Sequence, residues 1–239
     1  MSGNGIWAVV PAKDLAEAKQ RLAGVLTKEE RQGLAMAMIE DVLTALSSVS
    51  TLAGTIVVTR EAAFAAKARS FGARVITDLR QEGPSAAITL AAKELAAEGA
   101  AGMLAIPADV PLATAAEIAE IAAESSAHPA VTLVPALADM GTNAIALTPS
   151  DAIPIRFGQQ SFFQHLEAAL ERGLAPRILR LPGIGLDIDR PEDLAAFITL
   201  GSRTRSQAYL QGCKVRTRLP ELDGRRSEAE LPISPRSTG

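Results

Sequence analysis

Short apolar strands alternate with helices along the first half of this chain, and that rhythm constrains the fold more than any other feature. Ile6 to Val10 is an apolar run with two β-branched valines, halted at Pro11, which has no N–H for a sheet ladder. Thr27 and Glu30 form a capping-box pattern, and Leu34, Met38, Val42 and Leu46 then recur at i+4, predicting a helix with one buried stripe. Thr55 to Thr59 is a second strand, followed by a helical stretch from Glu61 to Phe71 that closes at Gly72. Arg74 to Thr77 is a third strand, and after Gly83-Pro84-Ser85 an alanine-rich helix runs to Glu98. Met103 to Ile106 is a fourth strand, and Thr114 to Glu117 opens the next helix. Strands separated by helices imply right-handed crossovers, so the expected fold is α/β, a single domain with a mainly parallel sheet flanked by helices.

The rhythm then changes. Val131 to Val134 and Ala144 to Leu147 read as strands joined by a loop with Asp139, Gly141, Thr142 and Asn143. A loop, Arg156-Phe157-Gly158-Gln159-Gln160, leads to a helix starting near Ser161. Ile178 to Leu181 reads as a last strand. Asp189 reads as the N-cap of a final helix that runs to about Leu200, with Pro191 in its first turn and Glu192 as the reciprocal acid. The expected domain is therefore 1–200, with 201–239 a largely disordered tail. Within it Tyr209 to Val215 could pair weakly or pack on the body, and Gly, Pro, Ser and charge dominate from Pro220. Between Arg203 and Gly239 the basic residues (Arg203, Arg205, Lys214, Arg216, Arg218, Arg225, Arg226, Arg236) outnumber Glu221, Asp223, Glu228 and Glu230, so the tail is basic and the body acidic.

A net charge of −3 argues against a general nucleic-acid binder. With 48 % apolar residues the chain can bury a sizeable core. Cys213 is the only cysteine, which excludes a disulfide framework or a thiolate metal site and fits a reducing compartment. The N-terminus lacks the basic start and apolar core of a secretory leader, and no apolar run approaches the ~20 residues of a membrane span, so a cytoplasmic, soluble protein with no membrane contact is expected.

The first strand delivers a cationic loop with Lys13, Lys19 and Arg21 to its C-terminal end, where open α/β sheets present a site for phosphorylated ligands. Lysine offers a mobile point charge and arginine a planar fork, and together they can hold a polyphosphate. Asp109 follows the fourth strand, stiffened by Pro107 and Pro111, at the same sheet edge. Asp187 and Asp189 are i and i+2, so in extended backbone they share a face. Carboxylates beside a phosphate loop would repel the substrate unless a divalent ion intervened, and Mg²⁺ suits such a set. Ser161, at a helix start, and Gly158, which permits close backbone approach, read equally well as an anion site or as ordinary capping with Gln164.

Nucleophilic chemistry finds little support. His128 precedes Pro129 in a surface loop, and His165 lies on a helix among aromatics and reads as a packed or half-exposed histidine rather than a base. The chain has no G-x-S-x-G, H-E-x-x-H, P-loop or G-x-G-x-x-G pattern. Metal-assisted phosphoryl or nucleotidyl transfer remains, which needs positioning and charge neutralisation but no protein nucleophile.

The run V-V-P-A-K…A-K-x-R-L, the segment I-P-A-D-V-P-L, the pair G-T-N-A and R-F-G-x-x-S-F, and the ending G-L-D-I-D-R-P-E-D-L together resemble the CofC/FbiD guanylyltransferases of coenzyme F420 biosynthesis, in the same order over roughly residues 6–200. The resemblance implies a fold like the nucleotide-diphospho-sugar transferases. It also implies a Mg²⁺-dependent reaction of GTP with a small phosphorylated carboxylic acid, giving a guanylylated acid and pyrophosphate. The family's acids are 2-phospho-L-lactate, phosphoenolpyruvate and 3-phospho-D-glycerate. By the same resemblance Lys13, Lys19 and Arg21 would neutralise the triphosphate, Pro11, Ala12, Gly83, Ser85 and Pro107 would line the nucleotide, and Asp109, Asp187 and Asp189 would hold the metal. Thr142, Asn143, Gly158 and Ser161 would grip the acceptor. A downstream F420-forming transferase would take the product, and a homodimer is compatible with the sequence. Gly83-Pro84-Ser85 departs from the family's G-L-N, and a serine cannot reproduce an amide's paired donor and acceptor. The rivals are a molybdopterin- or sugar-type nucleotidyltransferase, which would carry a glycine-rich first loop, and a non-catalytic nucleotide-binding module of the same fold.

Overall fold

The computed structural model describes residues 5–79, 82–158 and 160–219. Its first strand, β1 (Ile6–Pro11), lies inside the sheet and feeds two cores from opposite faces. Ile6, Ala8 and Val10 enter a core shared with α1 (Lys28–Ser47), α2 (Ala62–Ser70) and α4 (Ala115–Glu124). Val9 enters another, shared with α3 (Pro84–Ala97) and α5 (Ser161–Glu171). This period of two, buried on both sides, is what a parallel strand covered by helices requires.

β2 (Gly54–Val58) and β3 (Arg74–Ile76) extend the sheet on one side of β1, and β4 (Gly102–Ala105) lies on the other, all parallel. Beyond β4 come β6 (Thr142–Thr148), β5 (Ala130–Pro135) and β7 (Arg177–Ile178), completing the order β3-β2-β1-β4-β6-β5-β7. β6 is antiparallel to both β4 and β5, whereas β7 is parallel to β5. The sheet is thus mainly parallel, with one reversed strand. The capping boxes at Thr27/Glu30 and Thr114/Glu117 both form as the sequence predicts. The expected strand at Ile178 to Leu181 is shorter: after Leu179 N donates to Leu133 O (2.9 Å), the chain turns into the brief α6 (Pro182–Gly185).

A third core explains the larger departure. Leu34 and Met38 of α1 do not join the stripe of Val42 and Leu46 against the sheet. They meet Leu22, Leu26 and Ile188, with Leu194 and Phe197 of α7 (Pro191–Leu200) and Leu210 of α8 (Arg205–Gly212). The largely disordered tail expected from Gly201 is therefore corrected as far as Leu219, while Tyr209 to Val215 does pack on the body: Leu210 and Val215 are each only 1 % exposed and cover the second side of α1. The buried carboxylate of Asp41 accepts from Arg205 N (2.8 Å), Ser206 N (2.9 Å) and Ser206 Oγ (2.6 Å), satisfying the N-terminus of α8. An eight-residue helix with few apolar positions gives little periodicity to detect. The disorder expected from Pro220 falls outside the described residues. Among the described residues, no helix is long and apolar enough to cross a membrane.

Candidate active site

In the order β3-β2-β1-β4 the winding reverses at the β1/β4 boundary, where the carboxyl ends of two parallel strands part. A cleft of about 580 Å³ opens there. Pro11, Ala12 and Lys13 enter it from β1, and Pro107 and Asp109 enter from β4. Lys19 reaches across the floor: its Nζ lies 2.6 Å from Asp109 Oδ2 and 2.8 Å from Asp189 Oδ1. Arg21 stands 3.5 Å from Asp189 Oδ2. Lys19 takes up a left-handed backbone conformation, φ 50°, which costs a non-glycine residue roughly 1–3 kcal/mol and persists only where neighbours enforce it. Arg31 does so, donating from Nε to Ala18 O (3.3 Å) and from Nη1 to Leu26 O (3.1 Å), while Leu22 and Leu26 anchor the loop in the third core.

Asp187 and Asp189 reach the cleft because Ile188 between them is buried and its N–H bonds Asp109 O at 3.1 Å. Asp189 does not cap α7. The cap is Arg190, and Asp193 accepts from Arg190 N (2.8 Å) and Asp189 N (3.2 Å), which leaves the Asp189 carboxylate for Lys19. Burial opposes the charge on Lys19, yet Asp109 and Asp189 outweigh it and raise the ammonium above its usual pKa. Burial would raise Asp189 too, but Lys19 and Arg21 hold it low. Asp187 has no such partner: burial, then Asp109, push it up to about 6 although Asn143 donates to it. The cluster is thus short of positive charge. Its oxygen-only donor set is the chemistry that a hard divalent cation takes. Among the described residues no group of three acidic, histidine or cysteine side chains already stands ready to hold an ion, and Lys19 Nζ bridges Asp109 and Asp189.

Thr142, Gly158 and Ser161 line the same cleft. Gly158 has φ 144°, a conformation that suits glycine. Ser161 is the first residue of α5, not its cap, and its hydroxyl accepts from Thr142 N at 2.9 Å. The free N–H groups expected at this helix start are corrected: Ser161 N donates to Gly158 O (3.2 Å) and Phe162 N to Met140 O (3.3 Å).

A family model described as "Guanylyl transferase CofC like" matches residues 6–229. The chain belongs to that family of guanylyltransferases, the CofC/FbiD group of coenzyme F420 biosynthesis. It is 40 % identical over 192 residues to a phosphoenolpyruvate guanylyltransferase of Rubrobacter xylanophilus, covering 80 % of this chain and 92 % of the relative. A 3-phospho-D-glycerate guanylyltransferase of Colwellia psychrerythraea is 32 % identical, covering 81 % and 91 %. The fold matches the crystal structure of a Desulfovibrio desulfuricans G20 protein assigned to the nucleotide-diphospho-sugar transferases with TM-score 0.73 at 16 % identity, over 89 % of this chain and 97 % of that one. The family match extends past Gly201, consistent with α8 belonging to the folded unit.

Of the residues that the CofC/FbiD resemblance singles out, the cleft wall gathers Pro11, Ala12, Lys13, Lys19, Arg21, Pro107, Asp109, Thr142, Asn143, Gly158, Ser161, Asp187 and Asp189. It does not include Gly83 or Ser85; Pro84 lines it instead. The Ser85 hydroxyl accepts from Phe157 N at 2.8 Å and so ties down the loop bearing Gly158. Asn143 is likewise committed: Nδ2 lies 3.0 Å from both Ile184 O and Gly185 O and 3.1 Å from Asp187 Oδ1. Sequence reasoning missed Asp139, Phe64 and Phe157 on the wall, and Arg31 behind it. Of the two readings of His165, packed or half-exposed, the structure shows the packed one, with its two ring nitrogens against Thr142 Oγ1 and Arg156 N.

Proposed function

We propose that this cleft binds GTP and Mg²⁺ beside a three-carbon phospho-acid and transfers the guanylyl group to the acid's phosphate, releasing pyrophosphate. The observation that carries the reading is Lys19, gripped between Asp109 and Asp189 at the β1/β4 switch point and lining one cavity with Thr142, Gly158 and Ser161. Lys13, Lys19 and Arg21 neutralise the triphosphate, whose charge grows on the leaving pyrophosphate. Pro11, Ala12, Pro84 and Pro107 give the nucleotide a stiff wall, and Thr142, Gly158 and Ser161 hold the acceptor phosphate so that an oxygen meets the α-phosphorus in line. Such fixation supplies the proximity that replaces a protein nucleophile. Asp109, Asp187 and Asp189 would hold Mg²⁺, which when bound screens phosphate charge and polarises the phosphoryl oxygens. Phosphoenolpyruvate ranks first among the acids, because the relative at 40 % identity carries that name. A downstream F420-forming transferase then consumes the product.

The test incubates the full chain with Mg²⁺, GTP and each of the three acids, with a trapping acceptor for the short-lived product, and reads pyrophosphate. Release that requires both GTP and one acid supports the reading. Release that is indifferent to the acid, or none with any of them, overturns it.

A further inference from the structure

We propose that His165 is a positioning residue: its Nδ1–H donates to the Thr142 hydroxyl and so aims that hydroxyl's own proton at the acceptor phosphate. This rests on the acceptor assignment above and extends it to a residue behind the wall.

The direction of each hydrogen bond follows from the backbone. Arg156 N is an amide and can only donate, and it lies 2.9 Å from His165 Nε2. Nε2 must therefore present its lone pair. The ring is fully buried, and burial pushes it down to about 4, so it is neutral in the working range and carries its one proton on Nδ1. Nδ1 lies 3.0 Å from Thr142 Oγ1. The hydroxyl is thereby the acceptor in that contact and keeps its own proton to give, and Thr142 lines the cleft.

Ser161 repeats the arrangement. Its hydroxyl accepts from Thr142 N at 2.9 Å and keeps its own proton to give. The backbone N–H groups of Ser161 and Phe162 are already taken by carbonyls, so this corner recognises an anion through two hydroxyls held as donors. Phe157 steadies the ring edge-on, with centroids 5.5 Å apart, and is itself tied to Ser85. Removing the imidazole N–H frees the Thr142 hydroxyl to rotate and to accept, which turns a fixed donor into an indifferent one.

Two substitutions separate this role from packing. His165→Phe keeps the ring's volume and loses the donor, whereas His165→Asn loses volume and puts an amide N–H near the place of Nδ1. The expected result is that His165→Phe raises the KM for phosphoenolpyruvate on the order of tenfold, the effect of a hydrogen bond to a charged group, with the KM for GTP unchanged. His165→Asn restores the acceptor KM to within a few-fold of wild type. In a Thr142→Val background, His165→Phe adds nothing further. Equal effects on both KM values, a worse acceptor KM for Asn than for Phe, or additivity with Thr142→Val would overturn the proposal. The ¹⁵N spectrum of the wild-type protein gives a readout independent of activity, with only two histidines to assign. Nδ1 protonated and Nε2 bare supports the proposal, and the opposite tautomer overturns it. If the wild type transfers guanylyl to none of the three acids, the function assignment fails while the spectrum still decides the tautomer.

Discussion

Replacing Lys19 with methionine removes the one ammonium that bridges Asp109 and Asp189 while keeping a long apolar stem. Breaking a buried pair by deleting one partner costs about 3–5 kcal/mol, because the other charge is left behind. Here the loss is smaller, since Asp109 and Asp189 are 27 % and 41 % exposed and water screens part of it. About 1–3 kcal/mol is expected in the presence of a chelator. The same vacancy should favour a divalent ion, because the ammonium no longer competes for the two carboxylates. Binding to the folded state alone stabilises by RT ln(1 + [Mg²⁺]/Kd), about 2.7 kcal/mol at a hundredfold excess over Kd. Urea titrations of wild type and Lys19→Met, each with EDTA and with saturating Mg²⁺, give the four stabilities needed. The variant should be the less stable in EDTA and should gain more from Mg²⁺ than wild type does. Lys13→Met, the removal of an exposed cation, should shift stability by less than about 0.5 kcal/mol in either buffer. A Lys19→Met variant as stable as wild type in EDTA, or one that gains less from Mg²⁺, would refute the claim that the Lys19 ammonium holds Asp109 and Asp189 together and competes with a divalent ion for them.

Asp109→Asn should lower turnover on the order of 10²-fold, as loss of a preorganised charge-stabilising group does, which initial rates of pyrophosphate release will measure. Truncation after Leu200 should cost at least about 3 kcal/mol in a urea titration, because Leu210 and Val215 leave the third core and Asp41 keeps a buried carboxylate without its donors. Acid stability carries the signature of His165: depressed from 6.5 to about 4 in the fold, it leaves the unfolded chain binding more protons between those values. Stability it contributes above pH 6.5 is therefore lost as pH falls to 4, by up to about 3 kcal/mol. Asp187, raised to about 6, acts in the opposite sense in the metal-free protein, so the measurement is the pH slope of wild type minus that of His165→Asn.

What could be read from the sequence was what local pattern encodes. An apolar run stopped by Pro11 or followed by Pro107 marks a strand end, and Asp187 and Asp189 at i and i+2 share a face wherever the backbone is extended. Those facts alone bring most of the cleft to one sheet edge. What could not be read depends on contacts far apart in the chain. Lys19 meets partners 90 and 170 residues away, and nothing near it says that its backbone will turn left-handed. His165 looks like a packed ring because its partners, Thr142 and Arg156, come from β6 and a loop. α8 is short and largely polar, and its one buried apolar residue, Leu210, joins a core built by α1 and α7. The cap of α7 was within reach of sequence reasoning. Proline is favoured at the first helical position, so Pro191 designates Arg190 as the cap and leaves Asp189 for the cleft.

The central claim is that one phosphate oxygen of the acid attacks the α-phosphorus of GTP within this cleft. Phosphoenolpyruvate labelled with ¹⁸O in its phosphate, turned over with GTP and Mg²⁺ and followed by ³¹P NMR, tests it directly. The account requires a new phosphoanhydride whose bridging oxygen carries the label, with pyrophosphate formed in equal amount. Unlabelled GMP with oxygen from water, or label that never reaches the bridge, would contradict it.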